Sequence, residues 1–217
     1  MLTINDIHHS YPDGETVREV LTLPSWEIAD GEQWALIGPS GAGKTTLLHC
    51  LAGLITPTEG TVKISDYVVS AASEEERARR RGESVGYVLQ QFNLLPSLTV
   101  MDNVRAGAYF GRVEASDEVI LSLLNQLGIA HLAERLPDRL SMGEQQRTAI
   151  ARALIKAPRL VLADEPTANL DQDNARRIIE LLTGYSRQTG ATLIVATHDP
   201  AVMACFARQF HLPQGGN

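Results

Sequence analysis

Cysteine is scarce in this 217-residue chain: Cys50 and Cys205 are the only two. Two thiols cannot build a disulfide framework, and they read as reduced cysteines of a reducing compartment. Positive charge is also short, with 19 Lys and Arg against 26 Asp and Glu and a formal net charge of −7. A nucleic-acid binder normally carries a basic face, so no nucleic-acid partner is expected. No apolar run approaches the roughly 18 residues that a spanning helix needs, so a membrane role has to come through a partner. The first nine residues contain an acid and no apolar block, which argues against a signal peptide. Internal repeats, low-complexity tracts and Pro/Ser-rich linkers are missing as well. What remains is 44% apolar and 21% charged, near the globular average, so the chain is neither a disordered tail nor a fibre. Its length predicts one domain, or one core with a small insertion.

Several short apolar runs end in polar residues or glycine, with helical patterns between them. Gln33–Ile37 stops at Gly38, Leu160–Ala163 at Asp164, and Thr192–Thr197 at His198. Near-continuous apolar strands are buried on both faces, as in a parallel sheet covered by helices, which makes this an α/β fold. The spacing predicts a helix closed by Gly53, a second over 143–157 stopped by Pro158, and a third over 171–185. Residues 2–28 and 60–69 read as antiparallel strands. Residues 97–140 read as mostly helical, broken at Gly111, Gly128 and Pro137, and therefore as a helical insertion.

Gly38-Pro-Ser-Gly-Ala-Gly-Lys44-Thr45 fits the phosphate-loop pattern G-x-x-x-x-G-K-[ST], preceded by a buried strand and followed by a helix. Gly38, Gly41 and Gly43 let the chain curl so that backbone N–H groups point inward. The helix N-terminus adds partial positive charge. Lys44 is a point charge for the β and γ phosphates of a nucleoside triphosphate, and the Thr45 hydroxyl can ligate Mg²⁺. The loop alone does not choose the base or the chemistry.

Asp164 and Glu165 stand where a buried strand ends, the edge of an open α/β sheet at which ligands sit. Asp164 is placed to reach Mg²⁺ through a water, and Glu165 to poise an attacking water as general base. An acidic pair can also simply end a strand in solvent, but a phosphate loop in the same chain favours chemistry. His198 ends a second such strand and is placed to donate to the γ phosphate and orient Glu165. Together Glu165, His198 and Lys44 are the catalytic candidates.

With Leu140-Ser-Met-Gly-Glu-Gln-Gln-Arg147 added, the chain resembles the ATP-binding subunits of ABC transporters over nearly its whole length. That segment is similar to the family signature, usually L-S-G-G-Q. The order of phosphate loop, signature, acidic pair and histidine is more specific than any one motif. The resemblance implies a P-loop NTPase core with a mainly parallel sheet, an N-terminal antiparallel β subdomain and an inserted helical subdomain. It implies one ABC ATPase domain over 1–217, with 1–89 and 153–217 as the α/β core with its β subdomain and 90–152 as the helical signature subdomain. It implies ATP and Mg²⁺ as ligands. Gly38, Ser40, Gly41, Gly43, Lys44, Thr45 and Thr46 hold phosphate. Thr45, Asp164 and Gln90 serve the metal, Gln91 being the neighbouring choice. Tyr11 stacks on adenine, although it could equally be a surface strand residue. Ser141, Gly143 and Asp171 meet the nucleotide or loop of a second copy, in a head-to-tail sandwich of two ATPs. The γ phosphate supplies contacts that ADP cannot, so ATP favours the closed dimer. Opening and closing would drive an integral membrane permease docked beside Gln90, with the chain on the cytoplasmic side of the membrane.

Two positions depart from the signature: Met142 replaces the first glycine, and Glu144 replaces glutamine and adds negative charge. Lys44, Glu165 and His198 are intact, so an active ATPase is expected. Residues 162–171 and Gln91–Pro96 are most similar to the lipoprotein-releasing and macrolide-exporter branch, and the absence of a regulatory domain after the last strand suits a compact export subunit. An alternative within reach of the same motifs is a mechanotransmitting ATPase that controls a cell-wall enzyme through a membrane partner. The one charge run, Glu74–Arg81, predicts a solvated helix supported by Glu75–Arg79 and Glu76–Arg80 pairs.

Overall fold

A twisted hairpin opens the chain in the computed structural model, which describes residues 1–14, 16–168 and 170–213. Strands β1 (Leu2–Asp13) and β2 (Thr16–Ile28) pair antiparallel from Leu2↔Ile28 to Asp13↔Thr16. Strand β4 (Glu59–Ile64) joins the other edge of β1, and β5 (Tyr67–Val68) completes a four-stranded sheet of order β2-β1-β4-β5. On β1, Leu2, Ile4 and Ile7 are buried. The alternation slips by one between Ile4 and Ile7, where Asp6 takes a left-handed φ of 43° and the β1–β4 register shifts.

The second sheet is parallel throughout. It contains β3 (Gln33–Ile37), β6 (Val85–Val88), β7 (Leu160–Asp164), β8 (Thr192–Thr197) and β9 (Arg208–His211), in the order β6-β7-β8-β3-β9. Every residue of β7 and β8 is buried, as their apolar runs predict. Successive side chains feed two different cores, as the two-residue period of a strand requires. Ala35, Val161, Ala163, Leu193 and Val195 face one core, shared with the helices α3 (Val100–Phe110), α4 (Asp117–Gln126), α5 (Met142–Leu154) and α6 (Gln172–Thr189). Leu36, Leu160, Leu162, Ile194 and Ala196 face the other, shared with α1 (Lys44–Leu51) and the antiparallel sheet. Parallel pairing brings the carboxyl ends of β3, β6, β7 and β8 to one edge, which gathers the loops after them.

Helix ends follow backbone chemistry more than apolar period. α5 starts at Met142 rather than Gly143, capped by Ser141, and ends at Leu154 rather than 157 because Ala157 turns left-handed (φ 50°) ahead of Pro158. α6 is capped by Asp171 and runs four residues past Tyr185, until Gly190 (φ 73°) closes it. The charge run does form a helix, α2 (Glu74–Ser84), but only one expected pair survives. Arg80 pairs with Glu76 at 3.0 Å, whereas Arg79 takes Glu76 and Glu83 in place of Glu75. A short α7 (Pro200–Met203) precedes β9. Among the described residues, no helix is long and apolar enough to cross a membrane.

Candidate active site

Between β3 and α1 the chain makes the tight loop that its glycines require. Gly41 and Gly43 take φ of 79° and 88°, a region open to glycine at little cost. Gly38 does not share this reason. Its φ is ordinary, and what it provides is close approach, since a Cβ there would lie 3.1 Å from the Ala42 Cβ. Gly43 caps α1 without any side-chain hydrogen bond, which leaves the donors of the first turn for an anion. Ser40 is exposed on the loop and Thr46 is buried behind it. A Cβ on Gly43 would fall 2.3 Å from the Val20 carbonyl oxygen, so β2 of the other sheet presses directly on the loop.

Lys44 is buried at the mouth of the loop. Its Nζ donates to the Gly38 and Pro39 carbonyls at 2.8 and 3.1 Å and lies 3.5 Å from Glu165 Oε1. The Thr45 hydroxyl donates to Asp164 Oδ2 at 2.7 Å. The other oxygen, Asp164 Oδ1, is buried and has no hydrogen-bond partner among the described residues. Burial raises the Asp164 pKa, and the neighbouring Glu165 adds to the rise; the Thr45 hydrogen bond, His49 and Lys44 oppose it. A buried carboxylate oxygen with a free acceptor face beside a hydroxyl is the donor set that a hard cation takes, so Thr45 and Asp164 fit Mg²⁺.

Glu165 follows in a left-handed conformation, φ 45°, unusual for a side chain of its size. Its N–H donates to the Ala196 carbonyl at 3.0 Å, which ties it to the end of β8. Its carboxylate lies 2.8 Å from His198 Nδ1, as expected from two strands ending side by side. The imidazole is 65% exposed while the Glu165 carboxylate is 10% exposed. The buried carboxylate is thus aimed out of the sheet edge between a cation and an imidazole.

The remaining candidates lie around this cluster. Tyr11 is 41% exposed on β1, edge-on to His9 at 4.7 Å, and opposite Arg18, two residues from the Val20 that abuts Gly43. Its ring is therefore a wet surface near the phosphate loop. Gln90 is exposed two residues past β6 and makes no hydrogen bond to Asp164 or Thr45. Ser141, Gly143 and Asp171 sit together elsewhere. A Cβ on Gly143 would lie 3.4 Å from Asn174 Oδ1, and Asn174 donates through Nδ2 and its backbone N–H to the two oxygens of Asp171. No hydrogen bond or ion pair joins this trio to Lys44, Thr45, Asp164, Glu165 or His198 among the described residues. Glu144 folds back on Ser141: its Oε2 accepts from both the Ser141 N–H and hydroxyl at 2.8 Å.

Two anchors of the Gln90 loop carry no sequence motif. Arg152 on α5 donates to the Phe92 and Asn93 carbonyls, and fully buried Asn103 donates to the Leu95, Leu98 and Thr99 carbonyls. The loop after β6 is therefore tied to the helix that begins with the signature. Behind Asp164, His49 and Tyr87 meet edge-on at 5.8 Å, and the Tyr87 hydroxyl is buried without a partner among the described residues.

These features have close counterparts. A family model described as ABC transporter matches residues 21–168. An uncharacterized ABC transporter ATP-binding protein of Mycobacterium tuberculosis is 39% identical over 218 residues, spanning all of this chain and 88% of that protein; it occurs in strains CDC 1551 and H37Rv. The dimeric bacterial ABC transporter cassette MJ0796 superposes with a TM-score of 0.92 at 35% identity, covering 99% of this chain and 95% of that one. A post-hydrolysis dimer of MJ0796 bound to ADP and Pi matches equally well. With its paired sheets, its phosphate loop and an acidic strand end beside a histidine, this chain belongs to the ABC transporter family as an ATP-binding cassette, an ATPase.

Proposed function

We propose that the chain closes on a second copy around two ATPs and that this motion drives a membrane permease of an export system. The observation that carries the reading is the division of candidate residues into two clusters with no polar contact between them. One cluster, around Lys44, Asp164 and Glu165, can hold the phosphates and poise a water. The other, Ser141, Gly143 and Asp171, lies at an exposed helix start, where the Ser141 donors meet only the Glu144 carboxylate of their own helix. A head-to-tail second copy brings the second cluster to the first, and the dimeric state of MJ0796 supports pairing of two copies.

Within one site, Lys44 and the N–H groups of the loop bind and orient the β and γ phosphates. Thr45 and Asp164 would hold Mg²⁺, with Gln90 coming from the same sheet edge, and the ion when bound would supply positive charge against the phosphates. Tyr11 offers a π face to the base. Glu165 takes the proton of the attacking water as general base, and His198, hydrogen-bonded to it, fixes its rotamer. The helical part, residues 90–152, then turns against the core, and the loop held by Arg152 and Asn103 moves with it.

Light scattering tests the sandwich. In a Glu165→Gln background, ATP is expected to double the mass while ADP leaves a monomer, and adding Ser141→Ala should weaken the dimer about 100-fold, about tenfold for each of the two hydrogen bonds to phosphate that the dimer loses. A dimer unaffected by Ser141→Ala would remove that residue from the interface.

The permease side rests on Tyr109 and Phe110, 77% and 69% exposed at the end of α3, with rings 5.4 Å apart. Exposed adjacent aromatics suit a partner surface. The motifs over 162–171 and Gln91–Pro96 favour a partner of the lipoprotein-releasing or macrolide-exporter kind, with the chain on the cytoplasmic face of the membrane. Affinity capture from native membranes should return a four-span permease with a large outer domain, and Tyr109→Ser with Phe110→Ser should reduce its yield severalfold. Capture of no membrane protein would overturn the transport role and leave ATP hydrolysis standing.

A further inference from the structure

We propose that Glu144 sets how tightly the signature grips the nucleotide of a second copy, by holding the Ser141 donors that the γ phosphate would need. The inference rests on the sandwich proposed above. In the chain by itself, one oxygen of Glu144 accepts both the Ser141 N–H and the Ser141 hydroxyl, each at 2.8 Å, while the Ser141 oxygen accepts from the Glu144 N–H at 3.4 Å. A serine hydroxyl has one proton to give. While it points at Glu144 it cannot point at a phosphate, so the carboxylate occupies the start of α5 as a tethered anion.

Those same bonds keep Glu144 ionised. The Ser141 N–H and hydroxyl lower its pKa, helped by Arg147 and His131. A γ phosphate arriving at Ser141 therefore meets a negative charge and a donor already in use. Closure requires the carboxylate to release Ser141, and the structure offers it another place. Arg147 lies one turn further along α5, at the spacing at which helix side chains meet, and its Nε is buried with no partner among the described residues. Glu144 thus has two settings: on Ser141 when the chain is alone, and on Arg147 when a phosphate takes the serine.

The reciprocal cap between Ser141 and Glu144 is also an ordinary way to start a helix. The two roles separate by substitution. Glu144→Gln keeps an oxygen for the Ser141 N–H, hence the cap, and removes the charge. Glu144→Ala removes both. A residue that only capped α5 would make the alanine variant lose thermal stability and dimer strength together.

The experiment measures the chain concentration for half-dimerisation by light scattering, in a Glu165→Gln background with ATP and Mg²⁺, beside the melting temperature. E144Q is expected to lower that concentration about 100-fold, about tenfold for each of the two Ser141 sites in the dimer, with a melting temperature only slightly lower because the amide oxygen still caps the helix. Glu144→Ala should melt lower and yet dimerise more tightly than the parent. Arg147→Gln should weaken the dimer when Glu144 is present and have little effect beside E144Q. A dimer that E144Q leaves unchanged or weakens overturns the proposal while the sandwich stands. If every variant binds ATP and none dimerises, the sandwich itself falls, and the role of Glu144 with it.

Discussion

Glu165→Gln is expected to leave ATP binding intact and to slow turnover by about 10²- to 10⁴-fold, the usual contribution of a positioned general base. The substitution is close to isosteric, and the geometry limits its side effects. The Glu165 backbone is held in its left-handed turn by the bond from its N–H to Ala196, which the amide does not disturb. An amide oxygen can still sit near Lys44 and lie against the imidazole of His198. What disappears is the carboxylate's capacity to take a proton. A neutral side chain also leaves Lys44, 3.5 Å away, with less counter-charge, so nucleotide affinity should stay level or rise. Phosphate release measured at saturating ATP, next to binding of a fluorescent ATP analogue, separates the two effects. Near-normal phosphate release with normal binding would take Glu165 out of the proton-transfer role and leave His198 as the remaining candidate.

This part of the site was readable from sequence because its chemistry is local. A phosphate loop is a run of glycines, a lysine and a hydroxyl within eight residues. Asp164, Glu165 and His198 stand directly after apolar runs whose burial on both faces makes them strands in any register. Where the chemistry is long-range the pattern is silent. Arg152 reaches carbonyls 59 and 60 residues away, and a carbonyl has no sequence signature. Strand β6 is four residues long and follows α2 without a turn residue between them, so neither period is established before it ends. For Glu144 the charge was visible and its direction was not, because that depends on which hydrogen bonds the cap closes. For Arg79, two acids within reach on the helix beat the one at the expected spacing. Tyr11 was readable as an aromatic on a strand, and its approach to the phosphate loop came only with the contact between β2 and Gly43.

That contact carries the other large expected effect. Gly43→Ala should cut ATP affinity by about 100-fold or more and lower thermal stability, and Gly41→Ala separates the two causes. Both glycines have positive φ, so an alanine at either costs about 1–2 kcal/mol in backbone strain. At Gly41 that is the whole cost in the chain by itself, because a Cβ there has nothing within 4 Å. At Gly43 the Cβ meets the Val20 carbonyl oxygen at 2.3 Å, where β2 bulges between its pairs to Ser10 and His9, and a backbone oxygen has no rotamer to escape into. Either the loop moves off the strand or β2 moves off the loop, at a further cost of about 1–3 kcal/mol for an overpacked contact. Both movements damage the site: the first displaces the N–H groups that hold phosphate, and the second shifts the hairpin that carries Tyr11. Melting curves without nucleotide should place Gly41→Ala about 2–8 °C below the parent, at roughly 2–4 °C per kcal/mol for a chain of this size, and Gly43→Ala clearly lower still. Equal melting temperatures would mean that the two sheets do not bear on each other at Gly43. In that event any loss of ATP affinity in Gly43→Ala would come from the loop's own curvature, and the hairpin would have no part in shaping the phosphate site.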